Sequence, residues 1–373
     1  MHAHVAPDIG NAPKHGATRG EAARTTPPRV PLAGRAVRAQ IGGRHERGGT
    51  LEPALIKPPC RPVLNDGPAV LVVNTRSRSG REAFETARET LVARGVSIVE
   101  CHALSRADRL DAVVERMVAR GTRRLIVGGG DGTLSRAVVR LLGRDVTLGV
   151  LPLGTGNDFA RSLGIPPDIE AACDVIAQGY TARVDVGLAN GRPFLNAASL
   201  GLATGIAKRL TKRLKQRAGK LAYPVAAAAE MKDLRPFHIR LKADDQELAL
   251  DVLQLVVGNG LYHGAGNMVA PDARLDDRRL DIYAIAAPSA ASGHEGTGLG
   301  QLQDIATLMR VALSLRSGEH VEHPAVTALR AARLYVEAAP VQEVNADGEL
   351  VGKTPMRFEV APAALRVYAP APS

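Results

Sequence analysis

The sequence has few cysteines, few aromatic residues and no long apolar run, and each shortage excludes a class of protein. The 373 residues include three cysteines (Cys60, Cys101 and Cys173), too few and too scattered for a disulfide framework or a zinc site, which indicates a reducing compartment. There is no Trp, and five Phe and six Tyr do not supply the stacking surfaces that single-stranded nucleic-acid binders use. No apolar run approaches the roughly 20 residues of a membrane-spanning helix, and the N-terminus lacks the form of a secretion signal. We therefore expect a cytoplasmic protein.

Positive charge is in excess, but it is unevenly distributed. The 48 Lys and Arg outnumber the 38 Asp and Glu by ten, which first suggests nucleic acid or an anionic membrane as a partner. Residues 1–62 hold ten of the basic and four of the acidic residues, so they contribute +6 and the remaining chain +4. Residues 1–65 are rich in Pro, Gly and Arg without apolar periodicity, and we interpret them as a disordered basic tail. Without aromatic residues beside the charges, nucleic acid is not an expected partner.

Residues 66–182 show strands alternating with helices. Ala69–Asn74 is a continuous apolar, mostly β-branched run, typical of the interior of a parallel sheet. Further strands are predicted at residues 96–99, 124–127 and 147–151, and helices at residues 81–94, 110–119 and 134–142. This alternation indicates an α/β domain of βαβ units, in which ligands bind at the carboxyl ends of the parallel strands.

Two glycine-rich loops follow strands of this predicted sheet, and each opens a helix. They are Gly128–Thr133 and Pro152–Asp158. Glycine lets the backbone approach a ligand closely, and the N-terminus of the following helix offers unpaired N–H groups to a phosphate. Each loop also carries an acid, Asp131 or Asp158, that can orient Mg²⁺ or its waters. Simple tight turns are the alternative interpretation, and neither loop has the P-loop or dinucleotide fingerprint.

Residues 183–373 have the alternating pattern of a β-rich domain. Strand signals at residues 184–188 and 192–201 are separated by Asn190-Gly191, a hairpin signal. Further alternating runs occur at residues 238–242, 248–257, 280–285, 333–336 and 355–360. We therefore predict a second domain over residues 183–373, and we leave open whether its extreme C-terminus returns to the first domain.

The two glycine-rich loops carry a resemblance to a known family. Gly-Gly-Asp-Gly-Thr at residues 129–133 and Pro-Leu-Gly-Thr-Gly-Asn-Asp at residues 152–158 resemble the signature loops of the diacylglycerol kinase catalytic-domain superfamily, which includes bacterial soluble lipid kinases and sphingosine kinases. The first motif also occurs in NAD kinases, whereas the second favours the lipid kinases. The resemblance runs from Ala69 to the C-terminus. It implies an α/β nucleotide-binding domain beside a β-sandwich, an active site in the cleft between them, and ATP and Mg²⁺ as cofactors.

The resemblance also implies roles for individual residues. In the turn Asp347-Gly348-Glu349, Asp347 is the candidate catalytic base, and Glu349 assists its orientation or the catalytic metal. An ordinary Asp-Gly turn is the alternative. The residues implied in nucleotide binding are Asn74, Ser79, Gly80, Gly128, Gly129, Gly130, Asp131, Gly132, Thr133, Leu134, Ser135, Arg136, Gly154, Thr155, Asn157 and Asp158.

A later loop, residues 268–281, is similar to one that holds a structural Mg²⁺ in bacterial members of the family. The implied ligands are the Asp277 carboxylate and the backbone carbonyls of Arg274 and Arg279, which suit a hard cation. Arg278 stands where the family usually has glycine, and a solvated acidic turn is the alternative. A second departure from the family is Ser135-Arg136, where the family commonly has Asn-Glu.

A cluster of cations predicts contact with an anionic membrane surface. Its members are Lys208, Arg209, Lys212, Arg213, Lys215, Arg217 and Lys220, and apolar residues at four-residue spacing lie among them. Such a basic amphipathic helix suits the inner face of the membrane, and an ordinary solvated helix is the alternative.

The function that follows is an ATP-dependent lipid kinase, with diacylglycerol as the first candidate acceptor. A kinase for a sphingoid base or phosphatidylglycerol is the alternative within the class, and a NAD kinase is less favoured. A nucleotide-binding regulator without turnover is the alternative outside it. We leave open whether the protein is a homodimer.

Overall fold

The computed structural model describes residues 61–62, 67–75, 78–202, 204 and 234–372. Most of the predicted basic tail and the whole cation cluster at residues 208–220 lie outside these residues. Among the described helices, none combines the length and the hydropathy that a bilayer crossing requires.

Parallel strands and helices alternate through the first half of the described chain. The parallel strands are β2 (Ala69–Asn74), β3 (Ile98–Leu104), β4 (Arg124–Gly129) and β5 (Thr147–Pro152); the two-residue strand β1 (Arg61–Pro62) precedes them and pairs in antiparallel fashion elsewhere. The helices are α1 (Arg78–Ala93), α2 (Ala107–Ala119), α3 (Asp131–Leu141), α4 (Asp158–Ser162) and α5 (Ile169–Gln178). β3, β2, β4 and β5 pair side by side in parallel, in that order. Their carboxyl ends therefore share one edge of the sheet, and the predicted α/β architecture is confirmed.

The second half is built mainly from antiparallel strands. They are β6 (Tyr180–Ala189), β7 (Arg192–Phe194), β8 (Ala197–Gly201), β9 (Phe237–Ala243), β10 (Gln246–Gly258), β11 (Tyr262–His263), β12 (Asn267–Met268), β13 (Leu280–Ala286), β14 (Val326–Ala331), β15 (Arg333–Ala339), β16 (Glu343–Ala346), β17 (Glu349–Lys353) and β18 (Met356–Tyr368). Two described helices, α6 (Pro288–Ala291) and α7 (Gly298–Ser314), and a short 3₁₀ helix at Glu319–Glu322 lie among them. The predicted β-rich half is therefore confirmed.

The last strand joins the two halves. β18 pairs with β6 in antiparallel fashion and, at Arg366 and Val367, with β5 in parallel fashion. The Tyr368 hydroxyl also accepts a 2.8 Å hydrogen bond from Arg124 Nε on β4. The C-terminal end of the chain thus lies in the same hydrogen-bonded sheet as the parallel strands.

Separate apolar clusters stabilise the two halves. The first contains the fully buried centres of β2, β4 and β5, among them Leu71, Ile126 and Val150. The second lies among the antiparallel strands and includes Leu255 and Val336. Each such side chain contributes about 1.5–3 kcal/mol when fully buried, so both halves hold their functional loops on rigid supports.

The second strand of the sheet differs from its prediction. β3 spans Ile98–Leu104, whereas the sequence pattern predicted residues 96–99. Val96 instead lies in the turn after α1, where its N–H donates to the Leu91 carbonyl. β3 is an edge strand of the sheet. Its side chains alternate, so that Glu100 and His102 are half-buried and the residues next to them are exposed. Its signal is therefore alternation, whereas the interior strands have continuous apolar runs.

Candidate active site

The two glycine loops touch each other at the carboxyl edge of the parallel sheet. β4 and β5 are neighbours, so the loops that leave them run side by side. A Cβ on Gly154 would lie 2.5 Å from the Gly130 Cα, and a Cβ on Gly130 would lie 3.0 Å from the Gly154 Cα. The first distance is shorter than a carbon–carbon contact allows, and the second is tight enough that the backbone would have to shift by a few tenths of an ångström. This approach requires glycine at position 154 and favours it at position 130.

A cavity of about 220 Å³ opens beside the first glycine loop. Within it, Asn74 at the end of β2 donates a 3.1 Å hydrogen bond to the Thr133 hydroxyl at the start of α3. The lining residues are Asn74, Leu104, Arg106, Leu110, Gly130, Gly132, Thr133 and Arg136. Five of these eight belong to the predicted nucleotide-binding set, so the structure brings a large part of that set to one cavity.

The other predicted nucleotide-binding residues occupy varied places. Ser79 and Gly80 lie in the first turn of α1, and Gly128 and Gly129 end β4. Thr155 is exposed in the second loop, whereas the Leu134 side chain is fully buried in the apolar core. Leu134 can therefore meet a ligand only through its backbone.

Asp158 holds the second glycine loop against the β-rich half. Its carboxylate accepts hydrogen bonds from the N–H groups of Ala265 (2.9 Å) and Gly266 (2.7 Å). Burial raises the pKa of Asp158, the two N–H donors oppose that change, and the nearby charge of Asp131 adds to it. Asn157, which begins α4 in the left-handed region at φ 52°, exchanges two hydrogen bonds with the Gly154 backbone. The second loop is thus fixed at both ends.

Asp347 lies in the tight turn between β16 and β17, where it accepts four hydrogen bonds. Its φ is 47° and that of Gly348 is 88°, the left-handed pair that an Asp-Gly hairpin turn favours. Oδ2 accepts from the Ser135 hydroxyl at 2.6 Å and from the Leu195 N–H at 2.7 Å. Oδ1 accepts from the N–H groups of Asn196 (3.0 Å) and Ala197 (3.3 Å). Ser135 is the single side-chain donor among these four.

Two opposing influences act on the pKa of Asp347. Removal from water raises it, and this is the largest cause, whereas the four hydrogen-bond donors lower it. The result is a carboxyl with a pKa above its ordinary value, held by donors that fix both of its oxygens. A carboxylate with a raised pKa is a stronger base than an exposed one.

Glu349 points away from Asp347 into an ion-pair network. Its carboxylate pairs with Arg192 Nη2 at 2.6 Å and with Arg136 Nη1 at 3.6 Å. Arg136 also pairs with Asp111 at 2.5 Å. The hydrogen bonds of the described residues include none between Glu349 and Asp347. The two predicted acids share a turn but have different partners.

The loop predicted to hold a structural Mg²⁺ has its carboxylate occupied by N–H donors. The Arg330 guanidinium contacts Asp277 Oδ2, and the Arg279 N–H donates to Asp277 Oδ1 at 3.0 Å. Burial raises the pKa of Asp277, and the Arg330 charge opposes this. The Arg274 side chain pairs with Asp276 at 2.9 Å. In this arrangement the residues do not offer a free carboxylate to a cation, so Mg²⁺ at Arg274, Asp277 and Arg279 stays a prediction.

Comparison with known proteins identifies the family. Residues 68–189 match the diacylglycerol kinase catalytic domain, and residues 197–369 match the YegS C-terminal NAD kinase beta sandwich-like domain. A candidate YegS-like lipid kinase of Pseudomonas aeruginosa strain UCBPP-PA14 is 38% identical over 265 residues, which cover 70% of this chain and 81% of that protein. The chain belongs to the diacylglycerol kinase family of lipid kinases. A diacylglycerol kinase of Mycobacterium tuberculosis strain H37Rv is 33% identical, over 79% of this chain and 94% of its own.

Solved structures of this family share the fold. A candidate diacylglycerol kinase from Bacillus anthracis str. Sterne superposes with a TM-score of 0.65 at 23% identity, covering 81% of this chain and 97% of its own. A further diacylglycerol kinase structure from the same organism gives 0.58 at 20% identity, covering 81% and 96%. These structures confirm the fold, whereas the domain match and the more similar relatives confirm the enzyme class expected from the two glycine loops, a lipid kinase.

Asn196 is a residue of this kinase that the sequence reasoning missed. Its Nδ2 donates to Asp131 Oδ1 at 3.3 Å while its backbone N–H donates to Asp347. Its Oδ1 is buried and has no hydrogen-bond partner among the described residues. The sequence placed it in a single strand over residues 192–201, but the strand breaks there into β7 and β8. That break aims three consecutive N–H groups at Asp347.

Proposed function

We propose that this kinase transfers the γ-phosphate of ATP to the hydroxyl of a membrane lipid, with diacylglycerol as the first candidate. The relatives named as lipid and diacylglycerol kinases support the acceptor class. The observation that carries the proposal is the joining of Asp347 to the first glycine loop. Ser135 and Asn196 both donate hydrogen bonds to Asp347. Ser135 lies in α3, which begins at Asp131, and the Asn196 side chain donates to Asp131. These contacts support a proposed base that lies beside the proposed phosphate site.

In this proposal the nucleotide phosphates lie at the start of α3. At the Gly130–Gly154 contact the backbones of the two loops lie close together with no side chain between them. The positive end of the α3 dipole favours the negative charge of a phosphate. Asn74 and Thr133 hold each other at the wall of the cavity. Phosphoryl transfer depends mainly on such positioning and on electrostatic stabilisation.

Asp347 is the proposed base for the lipid hydroxyl. Its carboxylate accepts four hydrogen bonds, and three of the donors are backbone N–H groups that are held in place by the break between β7 and β8. Ser135 is the one donor that can rotate away. We infer that the acceptor hydroxyl takes the place of the Ser135 hydroxyl on Oδ2 and gives its proton to that oxygen as the new O–P bond forms.

The residues around Asp131 fit a magnesium ion bound with ATP. Asp131 Oδ1 accepts from Phe159 N–H and Asn196 Nδ2, and the buried Asn196 Oδ1 lacks a partner among the described residues. Carboxylate and amide oxygens are ligands that Mg²⁺ prefers. When bound, the ion would screen the charge of the transferring phosphoryl group. No step is assigned to the separate loop at Asp277, whose carboxylate is paired with Arg330.

We further propose that the enzyme works in the cytoplasm at the inner face of the membrane. The acceptor class requires contact with lipid, and the cations of residues 208–220 would favour an anionic surface. That segment lies outside the described residues, so its role stays a prediction.

The test of the proposed function is transfer of labelled phosphate from γ-labelled ATP to a panel of acceptors. Dioleoylglycerol, sphingosine, phosphatidylglycerol and NAD would be compared in mixed micelles, with reactions lacking acceptor as blanks. We expect the largest label in dioleoylglycerol. Labelling of another lipid would correct the proposed acceptor and would still support lipid kinase activity. ATP binding without transfer to any acceptor would contradict the proposal and favour a regulator.

Ser135→Ala is expected to move the acid limb of the kcat/KM profile to higher pH. The hydroxyl stabilises the ionised form of Asp347, so its loss raises the pKa of that carboxyl, and a base must be ionised to act. One hydrogen bond to a charged group corresponds to a displacement of about one to two pH units. Ser135→Thr retains the hydroxyl and should keep the limb near its original position. An unmoved limb in Ser135→Ala would exclude Ser135 as a positioning residue for the base.

A further inference from the structure

The longest helix described in the β-rich half, α7, has an apolar face that none of the described chain covers. Within α7, Leu299, Leu302, Ala306, Met309 and Leu313 follow each other at steps of three and four residues, which places them on one side of the helix. We call these five residues the apolar stripe. The exposed fractions of its four large side chains are 55% for Leu299, 66% for Leu302, 55% for Met309 and 83% for Leu313.

The opposite side of α7 is anchored in the protein, so the apolar stripe is held in a fixed orientation. Leu308 and Val311 pack in the cluster formed with the outer faces of β10 and β13. The buried Asp304 carboxylate accepts hydrogen bonds from the Ser289 N–H (3.0 Å) and hydroxyl (2.6 Å), which ties α7 to α6. Thr297 caps the helix by accepting from the Gly300 N–H. The stripe is therefore an extra apolar face on a helix that is already packed.

The exposed charged residues within α7 and in the turn directly after it are positive, and the exposed acids Glu295 and Glu319 lie beyond the two ends of this segment. Arg310 in α7 and Arg316 in the turn after it are exposed, and the one acid within α7, Asp304, is buried on the other side. An apolar face with cations beside it is the pattern of a helix that lies in the interface of an anionic membrane. A second copy would bring the same face together with itself, and light scattering tests for that occupant below.

The end of α7 is connected to a loop that contacts the candidate active site. The carbonyl of Leu315, two residues after the last stripe residue, accepts a 2.9 Å hydrogen bond from the Met268 N–H. Gly266, two residues before Met268, donates to Asp158 of the second glycine loop. The C-terminal end of α7 is thus connected, through the backbone of residues 266–268, to the second glycine loop of the candidate active site.

We propose that the apolar stripe of α7 is a membrane-docking face, which inserts into an anionic lipid surface with Arg310 and Arg316 beside lipid phosphates. The proposal rests on the proposed lipid-kinase function, because a water-soluble acceptor would give the face no use. It concerns residues other than the cations at 208–220, which lie outside the described residues.

The experiment measures sedimentation of the full chain with vesicles, without ATP, at low salt. Vesicles of phosphatidylcholine with 30% phosphatidylglycerol are compared with phosphatidylcholine alone. Leu302→Gln/Leu313→Gln is expected to weaken binding to the anionic vesicles at least about 10-fold. Arg310→Gln/Arg316→Gln should weaken it about 5-fold for each cation and flatten its salt dependence. Val92→Gln, at a 58% exposed position on α1, is the matched control and should bind as the unchanged protein.

Two further measurements separate the competing outcomes. Wild-type vesicle binding by Leu302→Gln/Leu313→Gln would overturn the proposal, as would a dimer in light scattering that this variant alone dissociates. The same variant should still phosphorylate a monomeric short-chain diacylglycerol, because the stripe is outside the candidate active site. If the unchanged protein docks through the stripe but phosphorylates no lipid, the proposed function fails and the docking face stands.

Discussion

Replacing Asp347 with asparagine is expected to lower kcat for lipid phosphorylation by about 10² to 10⁴-fold, the usual contribution of a general base. The carboxylate is positioned by Ser135 and by the N–H groups of residues 195–197. An amide of the same size has no charge to accept the hydroxyl proton. It also presents an NH₂ group to a backbone N–H that now donates to a carboxylate oxygen, so some loss of stability is expected.

The measurement therefore needs three readouts: kcat with saturating ATP, the Kd for ATP, and Tm. We expect the ATP affinity to stay within a few-fold, since the nucleotide contacts are assigned to the glycine loops. A folded Asp347→Asn variant that retains kcat within tenfold of the unchanged enzyme would remove Asp347 from its role.

Glu349→Gln is the matched comparison, because it changes the neighbouring acid of the same turn. Glu349 is exposed and paired with Arg192 and Arg136. Partly exposed pairs contribute about 0–1 kcal/mol, so a merely structural role predicts a decrease of less than tenfold in kcat. A larger decrease would support the alternative in which Glu349 assists the catalytic metal.

The parts of the fold that were predictable are those in which one short segment carries its own signal. Ala69–Asn74 was predicted with the bounds that the structure has, because a fully buried parallel strand is a continuous apolar run. α7 and β14 were missed. α7 follows a glycine-rich stretch, and its own apolar residues lie on two opposite faces, so it lacks the single-sided periodicity by which helices are usually found.

The site divides in the same way. The glycine loops and Asp347 are visible in the sequence because glycine and an acid in a turn are distinctive residue types. The donors that position Asp347 are backbone N–H groups of residues 195–197, which have no side-chain signature. Likewise, Arg330 contacts Asp277 from 53 residues away, and only the pairing of β13 with β14 brings them together. Contacts of this kind depend on the register of the sheet.

Gly154→Ala is expected to lower kcat/KM for ATP about 100-fold, the cost of moving a catalytic group by about 1 Å. The new methyl group would lie 2.5 Å from the Gly130 Cα and 2.8 Å from Asn157 Oδ1. The first of these is backbone and cannot rotate away, so the two loops must separate. Such overpacking also costs about 1–3 kcal/mol of stability.

Gly132→Ala is the steric control for stability, since a Cβ there would meet no heavy atom within 4 Å. Its Tm should equal or slightly exceed that of the unchanged protein, because alanine favours helix at this position in the first turn of α3. Gly154→Ala should lower Tm and weaken ATP binding together. If it instead leaves both as they are, the loops do not need their close contact, and the Gly130–Gly154 approach is not what shapes the nucleotide site.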